Sequence, residues 1–389
     1  MTTMLDMRLS PSAVRYSQLV LLLASAGALL LLGAVMVSSA SVDMAAQAYG
    51  NSFHFVVREL IYVSLGLAAA LAVANVPMDW WLRSGWLLLF VSLGLLLLVL
   101  TPVGRTVNGS TRWINFALFN VQVSEVAKLF LIAYLAGYIT RRREELLHTW
   151  QGFIKPVAVL GVAATLMVIE PDFGATVVLM TAAMGMIFLS GVRLSRFLPL
   201  IGLCLGLGIL LVVFQPYRLK RVVSYLDPWK DQFDSGYQLT QSLIAFGRGE
   251  WFGVGLGNSI QKLFYLPEAH TDFIFAIIAE EFGLVGSLGL LGLFSLLVYS
   301  GLRIARASEL AERPFAASFA YGITLLIGLQ AFINIGVATG LLPTKGLTLP
   351  LVSYGGSSLV VSCLCIGILA RIEMERLDAL EQQEGGHER

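Results

Sequence analysis

The chain is 389 residues long, 57% of them hydrophobic and 13% charged, with a formal net charge of +1. A soluble domain is about 45–50% apolar and about 25% charged, so an ordinary soluble fold is excluded, and the charge balance gives no sign of a nucleic-acid partner. The apolar residues come in runs, and about 20 such residues cross the hydrocarbon core as a helix. Lipid-exposed backbone must satisfy its own hydrogen bonds, which leaves helices and closed barrels. Barrel strands alternate, whereas Trp86–Leu100 does not. The expected fold class is an all-α polytopic membrane protein.

In chain order, spans are predicted near 18–38, 57–76, 84–101, 123–139, 153–170, 173–191, 196–214, 272–299, 316–339 and 354–371, about ten in all. The first follows Arg8 and Arg15 and precedes Ser38-Ser39-Ala40, as a signal peptide would. A signal h-region runs about 7–15 residues. Leu19–Val37 is longer, so an uncleaved first span is expected. The chain reads as one membrane domain, 1–389, without an internal repeat.

Lys and Arg collect in short cytoplasmic loops. With the N-terminus inside, the Arg141–Arg143 cluster, Arg193, Arg196, Arg303, Arg306 and Arg313 also lie inside. Both termini are therefore expected in the cytoplasm (N-in/C-in), with a charged tail at 372–389 that frays from about Glu373. Two outer segments are long, 101–122 and 215–271. The second, between spans 7 and 8, interleaves Trp229, Phe233, Tyr237, Phe246, Trp251, Phe252 and Tyr265 with charges and glycines. Long loops of this kind are usually functional or disordered, and this mixture points to an ordered interfacial loop.

Ionisable groups at membrane depth mark function or a paired structural need. Glu125 and Lys128 share one face of the fourth span. They are either a packing ion pair or a substrate contact in which Lys128 faces an anionic group. Asp172, in Glu170-Pro171-Asp172-Phe173-Gly174, is placed as an ordinary N-cap. Asp272 stands where the long loop meets the eighth span, after Pro267, Glu268 and His270. It reads either as a helix-dipole partner or as a partly shielded carboxylate that acts as a base near neutral pH. Of Glu280 and Glu281 in the same span, at least one must face protein or water, and glycines 283, 286, 289 and 292 are expected to serve helix packing. Lys345 lies in Leu342-Pro343-Thr344-Lys345-Gly346, ahead of Pro350 and Gly355-Gly356. That stretch is expected to be broken or re-entrant backbone, tolerated only where protein or water covers it. A lysine there either binds phosphate as a point charge or snorkels to the interface.

Other signals are weak. His54, His148, His270 and His387 show no metal-ligand spacing, and Cys204, Cys363 and Cys365 sit in apolar runs and are expected to form no structural disulfide. Gly253-Val254-Gly255-Leu256-Gly257 has no βαβ context that would make it a nucleotide loop. No Walker A sequence is present, so the chain is not an ATP-driven pump on its own.

The stretch Gly253–Ser259 through Tyr265-Leu266-Pro267-Glu268-Ala269-His270-Thr271-Asp272-Phe273 closely resembles the SEDS family, and its cell-division branch more than its elongation branch. Further matches are Arg112-Trp113-Ile114, Glu125 with Lys128, Pro171–Gly174 and Pro343–Ser358, so the resemblance runs from about 18 to 372. One departure is Gln122-Val123-Ser124-Glu125, where the family often has proline at the second position. The resemblance implies a peptidoglycan glycosyltransferase that polymerises lipid II at the outer face of the cytoplasmic (inner) membrane, at the division septum. It implies a class B penicillin-binding protein (the septal transpeptidase) as partner, together with other division-complex membrane proteins and the undecaprenyl lipid. By similarity Asp272 is the catalytic carboxylate, with Arg112, Glu125 and Lys128 lining the cavity. Lys345, Arg248 and His270 are added as substrate-binding candidates, with Arg218 and Arg221 as further cations for the pyrophosphate. A divalent cation, magnesium or manganese, is expected only as an ion held partly by substrate. A lipid II flippase and a non-enzymatic scaffold of the division complex are the alternatives.

Overall fold

The computed structural model describes residues 16–107, 110–116, 119–214, 225, 227–230, 232–234, 236–343 and 346–387. In chain order these form α1 (Ser17–Tyr49), α2 (His54–Ala74), the short α3 (Met78–Arg83), α4 (Gly85–Val99), strands β1 (Gly104–Val107), β2 (Ser110–Phe116) and β3 (Phe119–Gln122), and α5 (Val123–Arg141). There follow the short α6 (Arg143–His148), α7 (Trp150–Ile169), α8 (Phe173–Leu189), α9 (Phe197–Val213), α10 (Tyr237–Gly249), α11 (Ile274–Leu310), α12 (Pro314–Ala338) and α13 (Gly356–His387). Among the described residues, α1, α2, α5, α7, α11, α12 and α13 are long and apolar enough to cross a bilayer; α4, α8 and the described start of α9 are shorter apolar helices. Each predicted span overlies one of these.

Several boundaries move for local reasons. α1 continues well past residue 38 because nothing breaks it before Gly50, whose left-handed φ of +65° caps the helix through its N–H to the Ala46 carbonyl. The tail expected to fray from Glu373 is instead helical to His387. Its Glu373–Arg376 and Arg371–Glu375 pairs sit three and four residues apart, on shared helix faces.

Within the segment expected as an outer loop, in a fold expected to be all helical, β1, β2 and β3 form a three-stranded antiparallel sheet of order β1-β2-β3. Its register pairs Arg105 with Trp113 and Trp113 with Gln122. Thr106, Val107, Thr111, Trp113, Ile114, Phe116, Phe119 and Val121 are of the β-branched and aromatic types that fit a pleated surface. The Gln122 N–H donates to Ser357 Oγ at 3.0 Å, which fastens the sheet to the start of α13.

α5 is the central helix, with almost every residue from Val123 to Ile139 buried. The segment 346–355 is buried backbone between helices, as its Gly/Pro pattern predicts: Leu347, Leu349, Leu351 and Val352 are all core residues. It passes so close to α1 that a Cβ at Gly33 would stand 2.8 Å from the Leu351 carbonyl oxygen.

α11 is two helices joined at Gly283 (φ +66°, ψ −160°), a backbone conformation open essentially only to glycine. Residues 250–255 fill the gap. Val254 and Gly255 N–H donate to the Glu280 and Glu281 carbonyls, while Leu284 and Val285 N–H donate to the Glu250 and Trp251 carbonyls. The expected packing role of the glycine repeat is not met at Gly289 and Gly292, where an added Cβ would meet nothing within 4 Å.

Candidate active site

Asp272 lies between the loop and α11, half-buried, and its main chain is pinned. Three successive carbonyls accept from two other elements: His270 from Tyr354 N–H at 3.0 Å, Thr271 from Ser353 Oγ at 2.6 Å, and Asp272 from Asn334 Nδ2 at 2.8 Å. Buried backbone carbonyls must be satisfied, and here the partners also fix where the Asp272 side chain starts. Its Oδ2 would stand 3.2 Å from a Cβ at Gly346. Burial, then the neighbouring carboxylates Glu268 and Asp172, push the Asp272 carboxyl up to about 7, against the opposing pull of Arg112.

Arg112 comes from β2 and reaches the turn between α7 and α8. Its Nε donates to the Glu170 carbonyl at 3.4 Å, its guanidinium also donates to the Pro171 carbonyl, and Nη1 stands 3.7 Å from Asp172 Oδ1. Asp172 caps α8 as expected, accepting from Ala175 N–H. Its other oxygen accepts from Ser124 Oγ at 2.6 Å and Gln122 Nε2 at 3.1 Å, so the same carboxylate ties α8 to the start of α5. Glu170, beside it, is buried with both oxygens unpartnered, and burial followed by the Asp172 charge raises its carboxyl to about 8.

Lys128 and Glu125 form a buried ion pair at 2.9 Å, and Lys128 Nζ also donates to Gln330 Oε1 at 2.7 Å. Gln330 Nε2 then donates to the Thr348 carbonyl at 3.1 Å, one residue on from Leu347, whose carbonyl accepts from Asn334. Gln330 and Asn334 sit one turn apart on α12. The pair on α5 and the carboxylate ahead of α11 are therefore linked through one face of α12 and the buried segment.

The remaining candidates divide. The His270 ring packs between Phe55 and Tyr354, at centroid distances of 4.8 and 5.5 Å, with Nδ1 buried and unpartnered. Burial lowers its pKa, which favours the neutral imidazole. Arg248 is drawn away to Glu280, 3.2 Å from its Nε, and belongs to a second cluster. Lys345, Arg218 and Arg221 lie outside the described residues. Cys363 and Cys365 are free and buried. Among the described residues no three His, Cys, Asp or Glu side chains gather as a metal-ligand set. Residue-by-residue reading of the sequence missed Asn334, Gln330, Ser353 and Glu170. The two amides did leave a signal: polar residues four apart in an otherwise apolar span.

Comparison with known proteins adds the family. The sequence pattern of the FtsW/RodA/SpoVE family, described as "Cell cycle protein", matches residues 19–377. A Marinobacter nauticus protein named "Probable peptidoglycan glycosyltransferase FtsW" is 74% identical over 351 residues, 90% of this chain and 88% of its own. A Pseudomonas fluorescens protein of the same name is 54% identical over 364 residues, 93% and 89% of the two chains. Among solved structures, a chain from "Structural coordination of polymerization and crosslinking by a peptidoglycan synthase complex" matches with a TM-score of 0.70 at 29% identity, over 90% of this chain and 98% of that one. Thermus thermophilus RodA, a rod shape determining protein, matches at 0.67 and 26% identity over 93% and 97%. The polytopic helical fold, the Asp272 stretch and these matches agree, and the chain belongs to the FtsW/RodA/SpoVE family, the SEDS proteins.

Proposed function

We propose that this chain is a peptidoglycan glycosyltransferase that polymerises lipid II into glycan strands during cell division, with Asp272 as its general base. The observation that carries the assignment of the base is the set of three accepted carbonyls at 270–272, which holds one half-buried carboxylate against Gly346. A carboxyl raised to about 7 is a competent proton acceptor near neutral pH.

The reaction joins a sugar hydroxyl of one lipid-linked unit to the anomeric carbon of another. As the new C–O bond forms, the hydroxyl proton passes to Asp272. The bond from the anomeric carbon to the diphosphate oxygen breaks, and undecaprenyl diphosphate leaves with the electron pair. Negative charge grows on that diphosphate, so preorganised cations are needed beside it. Arg112 is the best-placed described cation, since it is partly exposed and its nearest carboxylate contact is 3.7 Å away. Lys128 is buried and already engaged by Glu125 and Gln330, so its part is to hold the wall of the site. Lys345 remains a proposed further cation. A divalent ion, magnesium or manganese, would be held partly by the substrate diphosphate, where it would offset the same growing charge.

The ten apolar helices among the described residues, seven of them long enough to cross a bilayer, are consistent with ten crossings and both termini in the cytoplasm. The sheet, α10 and Asp272 then lie on the outer side, where a septal wall is built. A class B penicillin-binding protein is the proposed partner, supported by the likeness to a chain of a peptidoglycan synthase complex. The test is reconstitution of the chain with this partner in proteoliposomes carrying lipid II. Glycan polymer is the expected product; transbilayer movement of lipid II without polymer would overturn the reading in favour of a flippase.

A further inference from the structure

The carboxylates of Glu280 and Glu281 lie outside the site just described, and both are wholly buried. Each is saturated with partners from other parts of the chain. Glu280 pairs with Arg248 of α10, whose Nε stands 3.2 Å away, and accepts from Ile260 N–H at 3.1 Å, from Gln261 N–H at 3.2 Å and from the Ser259 hydroxyl. Glu281 accepts from Lys262 Nζ at 2.8 Å and from Ser39 Oγ of α1 at 2.7 Å. Lys262 Nζ also donates to Ser39 Oγ at 2.9 Å, which closes a triangle.

These residues stand at the break in α11. In an unbroken helix the carbonyls of 280 and 281 would accept from the N–H groups of 284 and 285. Here those N–H groups turn to Glu250 and Trp251, and the loop amides of Val254 and Gly255 take their place. The main chain and the side chains of the same two glutamates thus hold the same loop. That loop runs on from Lys262 through the buried Leu266 and Ala269 to Asp272.

We infer that Glu280 and Glu281 form a positioning latch that fixes the upstream end of the Asp272 segment, so that the carboxylate is clamped from both sides. The downstream clamp is the set of carbonyls at 270–272. The upstream clamp is ionic and reaches α1 through Ser39, so a shift of α1 or α10 is transmitted to Asp272. The latch is a deepening of the assignment of Asp272 as base and rests on it.

The test uses the full chain with its penicillin-binding partner in lipid nanodiscs, with lipid II as substrate. Glu281→Gln is expected to lower kcat on the order of 10- to 100-fold, the scale of a small misplacement of a catalytic group. KM for lipid II should stay within about twofold, since no ground-state contact is lost. Hydrogen exchange of peptides covering 259–272 should rise in the same variant, and Lys262→Arg should restore most of the rate seen to fall in Lys262→Met. A wild-type kcat in Glu281→Gln, a change in KM alone, or a rate loss with unchanged exchange would each overturn the latch. If Glu281→Gln does not fold, Ser39→Ala decides. It removes only one partner, and it must raise exchange in 259–272 and lower kcat for the inference to stand. Asp272→Ala runs alongside. A dead Asp272→Ala beside a normal Glu281→Gln sinks the latch alone, whereas an active Asp272→Ala sinks the base.

Discussion

Asn334 donates its side-chain amide to the main-chain carbonyl of Asp272 at 2.8 Å, and the same nitrogen reaches the Leu347 carbonyl at 2.5 Å. One side chain of α12 therefore sets the spacing between the Asp272 segment and the buried segment beside it. Asn334→Ala leaves two buried carbonyls short of a donor, at a cost of about 1–3 kcal/mol each when unsatisfied. The expected outcome is a lower thermal midpoint in detergent and a kcat reduced on the order of tenfold or more, with the partner still bound in pull-down. Unchanged kcat in Asn334→Ala would separate this contact from catalysis.

The ion pair of Glu125 and Lys128 has a test of its own. Removing one member of a buried pair strands a charge, which costs about 3–5 kcal/mol, while replacing both by neutral groups is far milder. Lys128→Met is expected to lower the unfolding midpoint strongly, and Glu125→Gln with Lys128→Met to recover much of it. If the pair only holds the wall, polymerisation returns with stability. Recovered stability with no polymer would instead mean that Lys128 meets substrate directly.

The pH dependence follows from the Asp272 carboxyl, raised to about 7 by burial and its acidic neighbours. A general base works only when deprotonated. The polymerisation rate is therefore expected to fall as pH drops below about 7 and to level off above it. Arg112 opposes the upward shift, so Arg112→Ala should move the midpoint of the acid limb higher. Rate profiles of wild type and Arg112→Ala over pH 5–9 decide the matter; a midpoint near 4 in wild type would place Asp272 in an environment unlike the one described.

Glu170 provides a contrast. Its carboxyl is buried and unpartnered, and burial followed by the Asp172 charge raises it to about 8, which favours the protonated form near neutral pH. Glu170→Gln keeps the shape and the neutrality, and activity and stability should stay close to wild type below pH 8. Glu170→Lys should disrupt the turn that Arg112 and Asp172 share. A large loss in Glu170→Gln at pH 7 would show that the ionised form is needed.

The helices were legible because lipid imposes one strong rule, a run of about 20 apolar residues, and the buried charges were legible because they break it. Glu125, Lys128 and Asp272 announce themselves in this way. Other features have no such signature. The three strands between 104 and 122 are short and carry Gly, Asn and Arg among their β-formers, a composition that suits an irregular loop as well. The break at Gly283 depends on residues 250–255 folding into it, and a glycine repeat continuing through 286, 289 and 292 read as packing instead. Arg248 looked like a free cation near Asp272, but Glu280 lies buried within its reach and claims it. Asn334 and Gln330 could be seen as polar residues on one face, yet their partners are main-chain carbonyls about a dozen or more residues away in sequence, which only the fold brings near.

The most direct test of Asp272 as the base is lipid II polymerisation by the purified chain with its partner, wild type against Asp272→Ala, with folding and partner binding checked in the same preparation. The expected result is glycan polymer from wild type and none from a folded, partner-bound Asp272→Ala. Polymer formed by that variant at the wild-type rate would contradict the assignment.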